Sequence, residues 1–393
     1  MSLIDFRSKV SSRVAKFPPS GIRKFFDLIS EEEGVISLGV GEPDFVTPWH
    51  IREKAIRSLE DGFTMYTSNS GLSDLREAVS SHLESYYGLS YHPQKEILIT
   101  VGVSEGLDLA ARAILNSQDE VIIPDPSYVS YAPCVLLAGG IPSLVPVFPE
   151  DEFKLKAQEV EDHISPATRA ILLGYPANPT GAVMEEKDLL PIAHVVHSYN
   201  LMVISDEIYS QLVYDGVKHT PFALLPGMRE RTILLGGLSK AYAMTGWRIG
   251  YACGPEEVIA AMTKIHQYTI MCAPIMGQKA AIEAFHEGGE DVRQMLKEYG
   301  HRRSFLLSRL RDIGLPCVKP QGAFYAFPSI KDTHLSSEEF ARRLLLEEKV
   351  AVVPGMAFGE RGEGYVRLCY ATPFSTLEEA LRRIERFVGR LHM

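Results

Sequence analysis

The stretch Gly236-Gly237-Leu238-Ser239-Lys240-Ala241-Tyr242-Ala243-Met244-Thr245-Gly246-Trp247-Arg248-Ile249-Gly250-Tyr251 decides how the chain folds. It follows an apolar run over 232–235 that has the character of a buried strand. Lys240 therefore arrives at a strand end, well placed for a pocket. Desolvation and nearby cations both depress a lysine pKa, and an amine without its proton is a nucleophile. Arg248, further on in the same stretch, is a planar fork of donors suited to a phosphate. A Schiff-base lysine and a phosphate-gripping arginine are two parts of a site for pyridoxal 5′-phosphate (PLP). Alone, Lys240 is an ordinary surface lysine after a strand; its partners along the chain change that.

Working outward, short apolar runs alternate with helical patterns. They fall at 96–101, 121–123, 143–147, 170–174, 201–205, 232–235 and 249–253. Strands that are apolar throughout and alternate with helices predict an α/β fold, with a largely parallel sheet covered on both faces. Ligands in such sheets sit at the carboxyl ends of strands, and each loop singled out in the central part is expected at such an end.

The flanks have a different character. Residues before about 40 suggest an arm and one helix over 22–30, then a short strand over 35–38. Gly39-Val40-Gly41-Glu42-Pro43-Asp44-Phe45 is a turn whose glycines would let a ligand approach the backbone. A helix is expected over 48–59, followed by a polar loop holding Tyr66, with Ser70 or Ser73 capping the next helix to Tyr86. After Pro255 the pattern is helical to about Arg311, broken at Gly288-Gly289. Strands over 323–327, 350–353 and 365–368, with helices between them, predict a smaller α+β domain.

PLP makes separate demands, and the chain offers a residue for each. Its ring nitrogen stays protonated beside a buried carboxylate, and Asp206 stands at the end of a strand. At contact distance such a pair interacts by roughly 4 kcal/mol at an effective dielectric near 20. Its phenolic oxygen takes hydrogen bonds, which Tyr209 and Asn178 can donate. Its phosphate suits the N–H groups of Gly102-Val103-Ser104 ahead of a helix, with Ser239 and Arg248 as further donors. Tyr128 can stack on its face. An amino-acid substrate adds a carboxylate, and Arg367 lies inside an otherwise apolar strand, where an unpaired arginine is costly. Each has a plainer reading: a helix N-cap for Asp206, a turn for Asn178, core packing for Tyr128, a salt bridge to a protein carboxylate for Arg367.

The lysine stretch, Ala177-Asn178-Pro179-Thr180-Gly181, Ser205-Asp206-Glu207-Ile208-Tyr209, the glycine turn at 41–45 and Tyr365-Val366-Arg367-Leu368-Cys369-Tyr370-Ala371 together resemble the class I aminotransferases of PLP fold type I. The likeness runs from about residue 20 to 390. It implies a large doubly wound, mostly parallel seven-stranded sheet domain at 46–285. A smaller α+β domain would come from both termini, 1–45 and 286–393. It implies Lys240 as the Schiff-base lysine, Asp206 as the pyridinium partner, Asn178 and Tyr209 at the phenolic oxygen and Tyr128 on the ring. Val103, Ser104, Ser239 and Arg248 would hold the phosphate. Arg367 would hold the substrate carboxylate near the Gly41 backbone. Tyr66 matches a tyrosine that reaches the phosphate of the neighbouring subunit, which implies a homodimer with shared sites. The implied activity transfers an amino group between an L-amino acid and a 2-oxo acid, 2-oxoglutarate being the expected acceptor. Two departures stand out. Gly237 replaces a hydroxyl residue, and 266–274 holds no arginine of the kind aspartate-specific members supply there. The likeness is greatest to bacterial enzymes of broad or diaminopimelate-type specificity, with Ser20-Gly21-Ile22-Arg23-Lys24-Phe25 part of it.

Composition agrees with this. With 393 residues, 46% hydrophobic and 23% charged, the chain has the balance of a soluble globular protein of two or three domains. A net charge of −10 argues against nucleic acid and anionic membrane surfaces as partners. Cys134, Cys253, Cys272, Cys317 and Cys369 lack metal-ligand or redox spacing and fit a reducing cytoplasm. No signal peptide or apolar run of spanning length is expected. Two other functions share the cofactor residues: a β-lyase acting on sulfur amino acids, and a PLP-sensing module fused to a DNA-binding domain. The second needs an N-terminal helix-turn-helix, for which residues 1–40 are too short and insufficiently basic.

Overall fold

The computed structural model describes residues 9–15, 17 and 33–391. The helix expected over 22–30 and the segment 20–25 lie outside them. After the short strand β1 (Ile36–Ser37), the central apolar runs become seven strands. These are β2 (Ile97–Thr100), β3 (Glu120–Asp125), β4 (Ile141–Pro146), β5 (Thr168–Leu173), β6 (Met202–Asp206), β7 (Thr232–Gly237) and β8 (Gly250–Cys253). They form one sheet in the order β2-β8-β7-β6-β5-β3-β4. Only β8 runs against its neighbours, pairing antiparallel with β2 and β7. The link from β7 to β8 carries just the short 3-10 turn Thr245–Trp247, not the helix a parallel crossover uses. The loop carrying Lys240 and Arg248 thus follows the carboxyl end of β7 and enters β8 at that same edge of the sheet, as expected for the loops of the central part.

Side-chain alternation explains why the central strands are apolar on both faces, the edge strand β4 being partly exposed. Ile122, Ile171 and Val203 point to one side and pack with Leu189, Ile192 and Val196 of the helix Glu186–Ser198. Val121, Ile123, Ala170, Leu172 and Ile204 point to the other, against Leu107, Ala110 and Ala111 of the helix Gly102–Ile114. Burying both faces leaves the strand ends as the place for polar chemistry.

The last third forms smaller sheets. Strands β9 (Tyr325–Ala326), β10 (Val350–Ala351), β11 (Val353–Pro354) and β12 (Val366–Cys369) replace the three runs expected there. The run over 350–353 splits at Val352, so that β10 pairs in parallel with β1 while β11 joins β12 and β9. Residues 36–37 thus pair with residues 350–351 of the last third. Their core gathers Tyr299, Phe324, Tyr370 and Phe387. The helix Phe374–Leu391 supplies a stripe of Leu377, Ala380, Leu381, Ile384, Phe387 and Val388, the spacing of one buried helix face.

Neither Ser70 nor Ser73 caps the second long helix. Ser73–Tyr87 is preceded by Leu72, whose N–H donates to Gln278 Oε1 at 2.8 Å, and Ser73 Oγ instead donates to Glu77 at 3.1 Å. The helix has no side-chain cap; a distant glutamine instead holds the residue ahead of it. Among the described residues no helix is long and apolar enough to cross a membrane.

Candidate active site

A cleft of about 380 Å³ lies at the ends of β5, β6 and β7, beneath β9 and β12. Gly41, Val103, Ser104, Tyr128, Asn178, Asp206, Tyr209, Ser239, Lys240, Arg248 and Arg367 all line it. Tyr66 does not. It is 80% exposed and lines a separate surface hollow with Val101, Ile270 and Cys272.

Lys240 stands in the turn after β7, and its Nζ donates to the Gly41 carbonyl at 2.7 Å. Burial brings its amine down to about 8, and Arg367 and Arg248 push the same way. Asp206 ends β6 and is 6% exposed. Its Oδ2 accepts from the Tyr131 hydroxyl at 2.9 Å and its Oδ1 from the Ile208 N–H at 3.2 Å. The second contact closes a turn; no helix follows, so Asp206 is not an N-cap. Burial lifts its carboxyl to about 6 against the pull of these two hydrogen bonds. Tyr209 is buried, its hydroxyl 2.7 Å from that of Tyr325.

Arg367 is buried as well, 3% exposed. Its Nη1 donates to Asn178 Oδ1 at 2.8 Å and its Nη2 to the Gly39 carbonyl at 2.6 Å. The guanidinium lies 4.4 Å from the Tyr325 ring centre and 4.9 Å from that of Phe358. No protein carboxylate pairs with it among the described residues, and its Nε has no partner, so the salt-bridge alternative does not hold. Two rings and two acceptors hold the fork in place.

The turn before the helix Gly102–Ile114 brings the third feature. Gly102 has φ +73°, and a Cβ there would run into Arg248 Nη2. That close approach needs glycine. Arg248 itself donates from Nη1 to the Thr245 carbonyl at 2.9 Å. Val103 and Ser104 follow in the first helical turn, whose N–H groups have no partner within the helix.

A model of the aminotransferase class I and II family matches residues 33–384. The chain belongs to this family. An aromatic-amino-acid aminotransferase of Thermococcus litoralis is 48% identical over 96% of this chain and 97% of its own length. An aspartate aminotransferase of Pyrococcus abyssi is 47% identical, again over 96% of this chain and 97% of its own. The structure of N-succinyldiaminopimelate aminotransferase from Mycobacterium tuberculosis superposes with a TM-score of 0.92 at 31% identity, covering 96% of this chain and 99% of that one. The protein is an aminotransferase, and its family works with PLP.

The cleft suits that cofactor. Its volume is in the range of small-molecule pockets. Asp206 is a buried carboxylate with no cation paired to it among the described residues, as a protonated ring nitrogen requires. Asn178 has its oxygen engaged by Arg367, which leaves its amide N–H groups to donate. At Gly237, where the hydroxyl is missing, a Cβ would lie 3.1 Å from Val103 Cγ2 and 3.2 Å from Ile208 Cδ1, a tight contact that a larger residue would have to shift.

Sequence reasoning passed over Tyr131, which fixes Asp206, and Tyr325, which touches Tyr209 and underlies Arg367. It also passed over Gly39 as the acceptor for Arg367. Tyr131 lay within reach, three residues after Tyr128 where a helix begins. Tyr325 gave no local signal.

Proposed function

We propose that the enzyme moves an amino group from an L-amino acid to a 2-oxo acid, with 2-oxoglutarate as the usual acceptor and PLP held through Lys240. When bound, PLP supplies an aldehyde that takes up amines and a ring that accepts electrons. Asp206 pairs with the ring nitrogen and keeps its proton in place. Tyr209 and the Asn178 amide donate to the phenolic oxygen, and Tyr128 covers the ring face. Val103, Ser104, Ser239 and Arg248 hold the phosphate. Lys240 Nζ takes the proton from the substrate Cα, a role its lowered pKa suits. Arg367 grips the substrate carboxylate beside the Gly41 backbone.

Arg367 carries this reading. A buried guanidinium held by neutral acceptors, in one cleft with Lys240, is poised for an anion the protein does not supply.

Residues 46–285 would form the cofactor domain, and 1–45 with 286–393 a small domain that closes on the substrate. Tyr66 would serve a neighbouring subunit in a homodimer. The exposed Met65, Tyr268, Ile270 and Met271 near it support such a contact. On the donor side, the cations lining the cleft among the described residues are Lys240, Arg248 and Arg367, each already committed, while Val40 and Ile208 give it an apolar wall. Donors with aromatic or apolar side chains should therefore outrun aspartate. A donor panel with 2-oxoglutarate tests this; faster turnover of aspartate than of phenylalanine or tyrosine counts against it. Pyruvate and ammonia formed without any oxo acid would favour a β-lyase instead.

A further inference from the structure

We propose that His266, which does not line the cleft, positions the cofactor phosphate through Glu105. The inference rests on the reading of residues 102–104 as the phosphate site. Glu105 stands in the first turn of the helix Gly102–Ile114. Its Oε2 accepts from the Val101 N–H at 2.5 Å, and its Oε1 lies 2.7 Å from His266 Nδ1. His266 is wholly buried near the end of the helix Glu256–Thr269, and its Nε2 has no partner among the described residues. Its carbonyl accepts from the Ile270 and Met271 N–H groups and so closes that helix. Thr100 Oγ1 donates to the Gly102 carbonyl at 2.9 Å, fixing the turn from its other side.

A carboxylate in the first turn of a phosphate-binding helix is a problem in itself. It repels the phosphate and is drawn to the same N–H groups. Tied to the Val101 N–H and to His266, the Glu105 carboxylate is held back on the turn and leaves the Val103 and Ser104 N–H groups unclaimed. His266 Nδ1 must carry a proton to make its contact, because the carboxylate can only accept. Without that donor, Glu105 keeps one tie and is free to swing onto the N–H groups the phosphate needs. His266 is thus a positioning residue with a specific signature: it matters for ligands that carry the phosphate and not for those that lack it.

The test compares dissociation constants for PLP and for pyridoxal, the same aldehyde without the phosphate, on purified enzyme freed of cofactor and reloaded. Wild-type protein should prefer PLP strongly. His266→Leu should weaken PLP about tenfold or more, the loss of one charge-assisted hydrogen bond, and leave pyridoxal unchanged. His266→Asn places an amide N–H near the Nδ1 position and should keep the wild-type ratio. His266→Gln places it near Nε2 and should lower the ratio as His266→Leu does, so the Asn and Gln pair decides the matter even where the leucine variant does not fold. Equal loss for both ligands, or no difference between Asn and Gln, overturns the proposal. A wild-type enzyme indifferent to the phosphate would overturn the phosphate site itself, a separate outcome.

Discussion

Asp206→Asn should stabilise the protein without its cofactor and disable it with the cofactor. The Asp206 carboxyl rises from its ordinary 3.8 to about 6 because it is buried, hydrogen bonds from Tyr131 and the Ile208 backbone offsetting only part of that. A carboxyl that holds its proton more tightly in the folded state adds stability at low pH, fully present below about 4. That stability is lost as pH rises through about 6. At about 1.4 kcal/mol for each tenfold change, ionisation above that point costs about 3 kcal/mol. Asparagine fills the same space and never ionises. Cofactor-free Asp206→Asn should therefore melt several degrees above wild type near pH 8, with the gap closing toward about pH 4. The assay is thermal unfolding of both proteins across that range. With PLP bound the sign reverses, since the ring nitrogen loses its partner, and turnover should fall roughly 100-fold or more. A cofactor-free variant less stable than wild type near pH 8, or a gap independent of pH, refutes the reasoning.

Arg367→Ala should raise KM for amino donors by about two orders of magnitude, because a bidentate charge-assisted contact is lost, and Arg367→Lys should recover little, since an ammonium cannot fill the fork between Tyr325 and Phe358; steady-state kinetics read both. Gly102→Ala should weaken PLP binding at least about tenfold, because its Cβ would displace Arg248; Gly88→Ala, at φ +69° with open space around it, carries similar backbone strain but should leave the affinity alone. Uptake of PLP by the cofactor-free enzyme should quicken as pH rises through about 8, where Lys240 sheds its proton, and a rate flat across that range would contradict the depressed amine.

What the sequence discloses divides along the range of the interactions. Lys240, Asp206 and Asn178 announce themselves because each sits at or just past the end of an apolar run, and a strand end is a local feature. The seven central strands are legible for the same reason. Tyr325 was invisible because its partner Tyr209 is 116 residues away, and nothing around a tyrosine in an apolar strand tells where its hydroxyl points. Gln278 holding Leu72 across 206 residues, in place of a serine cap, is another case. The reversal of β8 depends on a missing crossover helix, and the division at Val352 on which edge each half meets. Glu105 looks like a helix-start acid until His266 is seen beside it.

The central claim is that one amine, Lys240 Nζ, takes up the cofactor's aldehyde. Incubating the purified protein with PLP, reducing with borohydride and mapping the modified peptide tests it most directly. A pyridoxyl group on Lys240, absent from Lys240→Ala, is the predicted result. An unmodified Lys240, or a stable adduct on another lysine of a fully active enzyme, would contradict it.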